Sequence, residues 1–403
     1  MMYAGPCSRA GQGGTDMTTI KDNTRLPISG LQRLRTIAPM SRRRFGLSMA
    51  AAGLGLTVGY GTRPAQAATT VNYMGWQGYD EATNVGGFMD KSGAVLQPTY
   101  MESQEQWITA MRSGGRGNMD LGTPVDMYMP LTMKAGFFSP LDLSKIPNME
   151  KVFPEFRDLD NLKLDGKHYA VPFTFGSMPI MYNAKEITEP PASWWELFNP
   201  KYKGKAAIVQ DSLGVFMIFS LMANGTTTPW NNTKEMVDKT VDLLIKFKKE
   251  QALTICAAYG DLAALLANGE VIIAQGWEPV STMTGENSPP IKWSYPKEGT
   301  CNFVDTYVIF ADAPNLDLDH RILNQVMSVE AQVASAEKSA TAVTNMEAVP
   351  LLSEKAKSLY PYDDIAGFFK KVGGHYQAPP LEDGGEFQSL DQILKGWEEF
   401  LKV

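Results

Sequence analysis

From residue 69 onward, short β-branched or aromatic runs alternate with segments of helical period, and this alternation constrains the fold more than any other feature. "TTVNYMGW" (69–76) and "AVLQPTY" (94–100) read as strands with a helix between them. "SQEQWITAMRS" (103–113) sets Trp107, Ile108 and Met111 at helical spacing before Gly114 and Gly115, and "MDLGTP" (119–124) is strand-like again. Strands alternating with helices predict α/β units with parallel sheets. The Gly-rich "GGRGN" follows a helix and lacks G-K-[ST], so it reads as a turn and not a phosphate loop.

The pattern continues along the chain. Ser193 and Glu196 stand at capping-box spacing and predict a short helix that ends by Pro200 and Gly204, followed by the strand "KAAIVQ" (205–210). Residues 233–250 place Met236, Val237, Val241, Leu244 and Phe247 on one face of an amphipathic helix. Residues 260–277 read as a helix closed by Gly269 and then the strand "EVIIAQGW". An apolar face carrying Leu390, Ile393, Trp397 and Phe400 predicts a closing helix over 386–402. At 403 residues the chain is long enough for two to three domains, each with its own core.

Within this pattern "NFVDTYVIF" (302–310) is anomalous, because Asp305 sits in a run of aromatic and β-branched residues. A carboxylate in a buried strand is costly unless something neutralises it. The alternatives are an edge-strand Asp facing water, a partner Lys or Arg, or an external cation.

The N-terminus reads as an export signal. Ser41-Arg42-Arg43-Arg44-Phe45-Gly46-Leu47 matches the twin-arginine core, a short apolar stretch follows, and Ala65-Gln66-Ala67 is a small-residue cleavage site. Met40 stands directly before that motif as an alternative start. Cleavage after Ala67 removes nine basic and two acidic residues from the chain's 37 and 44. That leaves 28 basic and 42 acidic residues, a formal charge of −14. An acidic exported chain argues against nucleic acid as a partner. His168, His320 and His375 join no Cys/His cluster, so neither a zinc site nor another cofactor is expected. Cys256 and Cys301 survive cleavage and form one disulfide or remain two buried thiols.

The order of segments, with "SWWELFNPKYKGKAAIVQD", "GEVIIAQGW" and "YPKEGTCNFVDTYVIF" as its strongest marks, resembles the periplasmic solute-binding proteins of ABC importers, spermidine/putrescine branch. The resemblance covers residues 70–402 and implies a two-lobed type II binding-protein fold with the ligand between lobes. Its expected division is 68–174 and 303–350 in the first lobe, with 175–302 and 351–403 in the second. The chain would cross between lobes near 173–177, 301–305 and residue 350. It implies a monomeric, non-enzymatic periplasmic protein that holds a small organic cation and passes it to the permease subunits, exported by the twin-arginine machinery.

By the same resemblance, Asp305 accepts an ammonium, and Trp76, Tyr79, Trp277 and Phe303 box the alkyl chain. Asp126, Asp211 and Gln377 complete the expected set. Cation–π attraction and charge-assisted hydrogen bonds are the physical reasons for that combination. The sequence departs from the pattern at Gly214, Val125, Met127 and Thr341, where the branch carries acidic, hydroxyl or phenolic contacts. Fewer such groups favour a shorter diamine or a monoamine over spermidine. Another small solute on the same fold is the alternative. An exported enzyme has less behind it, since no G-x-S-x-G, H-E-x-x-H or dinucleotide fingerprint occurs.

Overall fold

The computed structural model describes residues 68–101, 104–285 and 287–403; the expected export signal, over 1–67, lies outside the described residues. The strands are Thr69–Gly75 (β1), Ala94–Tyr100 (β2), Leu121–Gly122 (β3), Lys163–Leu164 (β4), Lys167–His168 (β5), Ala170–Ser177 (β6), Ile180–Asn183 (β7), Ala206–Val209 (β8), Ala252–Cys256 (β9), Ile273–Gln275 (β10), Ile291–Ser294 (β11) and Asn302–Ile309 (β12). One five-stranded sheet has the order β2-β1-β3-β12-β6, a second has β11-β7-β10-β8-β9, and β4 pairs with β5 apart from both.

Both sheets are mixed, which departs from the parallel sheets the alternation predicts. β1 runs parallel to β2 and β3, and β8 runs parallel to β9 and β10, as helix-connected strands should. The antiparallel members are the strands that enter or leave a sheet where the chain passes to the other one. β6 and β12 pair antiparallel in the first sheet, β7 and β11 in the second. The chain passes from the first sheet to the second between Ser177 and Ile180 and returns between Ser294 and Asn302. Ile365, Phe368, Phe369 and Val372 pack with Phe173 and Phe175 of the first sheet, and only the helix Leu390–Lys402 packs on the helix Lys234–Glu250. The last passage therefore follows Val372, not residue 350, and the expectation that all of 351–403 belongs with the second sheet is corrected. Aromatic stacking decides this: Phe369 lies 5.7 Å from Phe156 and 6.2 Å from Phe175.

The helices follow their sequence signals. Thr233 accepts the Met236 N–H to cap Lys234–Glu250, which buries Val237, Val241, Leu244 and Phe247. Leu390–Lys402 approaches that helix closely at Gly396, where a Cβ would lie 2.8 Å from Val241 Cγ2. Near Ser193 the chain forms only a 3₁₀ turn, Trp194–Phe198. The Ser193 hydroxyl donates to Glu298 and its oxygen accepts the Trp195 N–H, so the reciprocal box with Glu196 does not form.

The decisive irregularity is where β12 meets β6. Val304, Tyr307 and Ile309 face one cluster while Phe303, Val308 and Phe310 face the other, so strict alternation breaks between Val304 and Tyr307. A register shift between the two strands falls at Asp305/Thr306, where β6 carries the extra residue, Phe173, between the partners Thr174 and Pro172. Such a bulge re-aims side chains, here at the carboxylate the sequence made anomalous.

Candidate ligand-binding site

A cavity of about 850 Å³ opens between the loops of the two sheets, with Trp76, Tyr79, Met127, Phe303 and Asp305 on one side and Met178, Asp211, Gly214, Tyr259 and Trp277 on the other. Its volume is within the range of small-molecule sites, roughly 300–1,000 Å³. Among the described residues that line it, Asp211 and Asp305 are the acids and there is no Lys, Arg or His.

The Asp305 wall is built from three segments. Gly78, at φ 96°, turns the chain so that Tyr79 doubles back toward β12. The Tyr79 hydroxyl donates to Asp305 Oδ2 at 2.7 Å, and the Tyr307 hydroxyl donates to the Tyr79 carbonyl at 2.6 Å. The Tyr79 ring is held edge-on by Phe173 at 5.1 Å. Opposite Phe303 in β6 stands Gly176, and a Cβ there would lie 2.7 Å from the Phe303 ring. Trp76 is fixed by its N–H to Thr123 Oγ1 at 3.2 Å.

Asp305 is 6% exposed. Burial raises its carboxyl to about 7; the Tyr79 hydrogen bond opposes that rise and the neighbouring Asp126 charge adds to it. Burial and the same carboxylate push Tyr79 well above the usual phenol range. The site thus holds an acid that a cation can ionise.

On the opposite wall Asp211 follows β8, and its Oδ1 accepts the N–H groups of Leu213 and Gly214 at 3.2 and 2.8 Å. It thus holds the N–H groups at the start of the helix Gly214–Asn224 while lining the cavity. Trp277 lies 5.9 Å from the Tyr259 ring, and its indole N–H is buried with no partner among the described residues.

Two expected residues stand elsewhere. Asp126 is 2% exposed and turned away from the cavity: Oδ1 accepts the Val304 N–H at 3.0 Å, and Oδ2 meets Asn161 Nδ2 and His375 Nδ1, each at 3.2 Å. Its neighbours Val125 and Met127 line the cavity instead. Gln377 is exposed and lies outside the cavity lining, beside Ala378, whose N–H bonds the Met127 carbonyl. The disulfide alternative is also corrected. Cys256 and Cys301 are both free and buried, the first ending β9 in the second sheet's own cluster and the second preceding β12 in the larger one.

Sequence reasoning missed Glu278 and Met178. Glu278 is fully buried below Trp277, where it accepts the Ser177 hydroxyl, the Ser177 N–H at 3.3 Å and the Tyr295 hydroxyl at 3.4 Å. Burial raises its carboxyl to about 7 against those donors. Its position in "QGWEP" marked only the Trp. Met178 lies within the first passage between sheets, where a lone methionine carries no signal of a site.

A family model described as bacterial extracellular solute-binding protein matches residues 88–359. The putrescine-binding periplasmic protein PotF of Escherichia coli K12 is 27% identical over 348 residues, covering 79% of this chain and 90% of that one. The spermidine/putrescine-binding periplasmic protein 1 of Haemophilus influenzae is 24% identical, covering 75% of this chain and 83% of its own. Among solved structures, the spermidine/putrescine ABC transporter substrate-binding protein PotD of Streptococcus pneumoniae superposes with TM-score 0.62 at 21% identity, over 83% of this chain and 98% of that one. The Tp0655 lipoprotein of Treponema pallidum gives TM-score 0.64 at 17% identity, over 82% and 99%. These likenesses show the two-lobed α/β fold. With the matched model spanning most of the sequence, the chain belongs to the bacterial extracellular solute-binding proteins.

Proposed function

We propose that this protein captures a small organic cation of the diamine class in the periplasm and delivers it to the permease of an ABC importer, without catalysing a reaction. The observation that carries the reading is the buried Asp305 carboxylate, paired with Tyr79 in a cavity whose described lining holds two acids and no cationic side chain. An anionic or zwitterionic ligand would find no positive partner in that lining. An ammonium ion would gain a charge-assisted hydrogen bond at Asp305 and cation–π attraction from Trp76, Tyr79 or Trp277. The relatives' names, putrescine- and spermidine/putrescine-binding, point to the same ligand class.

In this reading Trp76, Tyr79, Asp211, Trp277, Phe303 and Asp305 contact the ligand, and Asp126 supports the Asp305 wall from behind. The two sheets act as the lobes, joined by the passages around 173–180 and 294–305. The arginine motif at 41–47 carries the chain out through the twin-arginine route, and the mature protein, beginning after Ala67, works as a monomer.

Thermal unfolding of protein refolded to strip carried-over ligand tests this. The panel is putrescine, cadaverine, spermidine, agmatine, choline and several amino acids. A ligand at about a thousand times its Kd stabilises the native state by roughly 4 kcal/mol. Each 1 kcal/mol raises the midpoint of a 150–250-residue protein by about 2–4 °C. A shift with an alkylamine and none with amino acids is expected. Stabilisation by amino acids alone would replace the cation with a zwitterion.

A further inference from the structure

The Asp211 end of the cavity is closed by one side chain. Met178 directly follows β6, and its backbone is pinned on both sides by the returning chain: its N–H donates to the Cys301 carbonyl at 2.8 Å, and its carbonyl accepts the Thr300 hydroxyl. That anchoring sends the thioether over the first residue of the helix Gly214–Asn224. A Cβ built on Gly214 would lie 2.3 Å from Met178 Sδ, 2.7 Å from Met178 Cε and 3.2 Å from Asp211 Oδ2. Only a hydrogen fits at 214 while the methionine stays in place. The thioether and the Asp211 carboxylate meet over the same Cα, and all three residues line the cavity.

We propose that Met178 sets the length of ligand this protein accepts, by seating its thioether on Gly214 and covering the Asp211 side of the cavity. This rests on the cation reading above and sharpens it. The ligand places one ammonium at Asp305 and directs the rest of its chain toward an apolar thioether, which offers an ammonium no strong acceptor. Methionine is unbranched and adaptable, so this end is a movable plug and not a rigid wall. The fit selects a monoamine or a short diamine. Longer diamines need the plug withdrawn before their second ammonium reaches Asp211.

The test is calorimetric titration of purified wild type, Met178→Ala, Gly214→Ala and the double variant with n-butylamine, putrescine, cadaverine and spermidine. Met178→Leu serves as a volume-conserving control expected to keep the wild-type order. In Met178→Ala the affinity ratio of the longest to the shortest amine should rise by about tenfold or more, the scale of one added charged hydrogen bond. Gly214→Ala should weaken binding by driving the thioether into the cavity. In the double variant most of that penalty should vanish, because the thioether is gone and only the 3.2 Å approach to Asp211 Oδ2 remains, and this non-additivity is the mark of direct contact. An unchanged order of affinities in Met178→Ala, or a Gly214→Ala penalty that persists in the double variant, overturns the length limit alone. No heat with any amine, in any variant that unfolds cooperatively, overturns the cation reading and the length limit together.

Discussion

The Tyr79 hydroxyl and the Asp305 carboxylate meet at 2.7 Å across 226 positions of sequence, one from the turn after β1 and the other from the register shift between β12 and β6. The turn at Gly78 and the bulge each exist to aim one partner, and together they hold a carboxylate in a buried place without a cation beside it. That arrangement makes the site responsive to a positive ligand.

Replacing the two partners should therefore separate charge from geometry. Asp305→Asn removes the ionic partner, and alkylamine affinity should fall by about 10- to 150-fold, the range for a hydrogen bond to a charged group. Tyr79→Phe leaves the charge but loses its donor, so a smaller loss, about 2- to 10-fold, is expected. Equal losses in both variants would mean that the tyrosine, not the charge, holds the ligand.

The raised Asp305 carboxyl gives a pH dependence of known sign. Its folded value, about 7, lies above its unfolded one, so the ligand-free native state binds the extra proton. Its contribution to stability is full below the unfolded value, near 4, and is lost as pH rises toward 7. Ligand binding runs the other way, since a cation needs the ionised form, and affinity should drop about tenfold per unit as pH falls below 7. In Asp305→Asn both slopes should flatten, as read by unfolding and titration between pH 5 and 8.

Glu278 supplies an independent slope. It too is raised, to about 7, by burial, with Ser177 and Tyr295 as its donors. Glu278→Gln keeps the shape and removes the ionisation, so its stability relative to wild type should increase as pH rises from 6 to 8. Glu278→Ala should destabilise by about 1–3 kcal/mol at pH 6, because three donor groups, two on Ser177 and one on Tyr295, lose their acceptor. Denaturant unfolding at the two pH values checks both.

How much of this was legible in the sequence depended on whether a residue's signal was local. Asp305 showed itself because a carboxylate contradicts its apolar neighbours, and Trp76, Tyr79, Trp277 and Phe303 line the same cavity. Asp126 did not, because the phase of a three-residue 3₁₀ turn decides whether it faces ligand or backbone, and it turned to the Val304 N–H. The third passage was placed too early for a similar reason. The aromatic residues of 360–369 have no periodicity that says which sheet they stack on. Met178 and Gly214 are informative only as a pair, and 36 positions separate them.

Cys256 and Cys301 are buried free thiols, and burial raises both above the ordinary thiol range. The native mature chain should react slowly with a thiol reagent and release two equivalents only after unfolding. Its unfolding midpoint should not change on adding reductant. A midpoint that falls with reductant would restore the disulfide.

The most direct measurement is calorimetric titration of ligand-stripped protein with putrescine at pH 8, beside the Asp305→Asn variant. Saturable binding to wild type and its loss in the variant, with both proteins unfolding cooperatively, is the predicted result. Putrescine bound equally tightly by both proteins would contradict the account, because the buried carboxylate would then not be what recognises the cation.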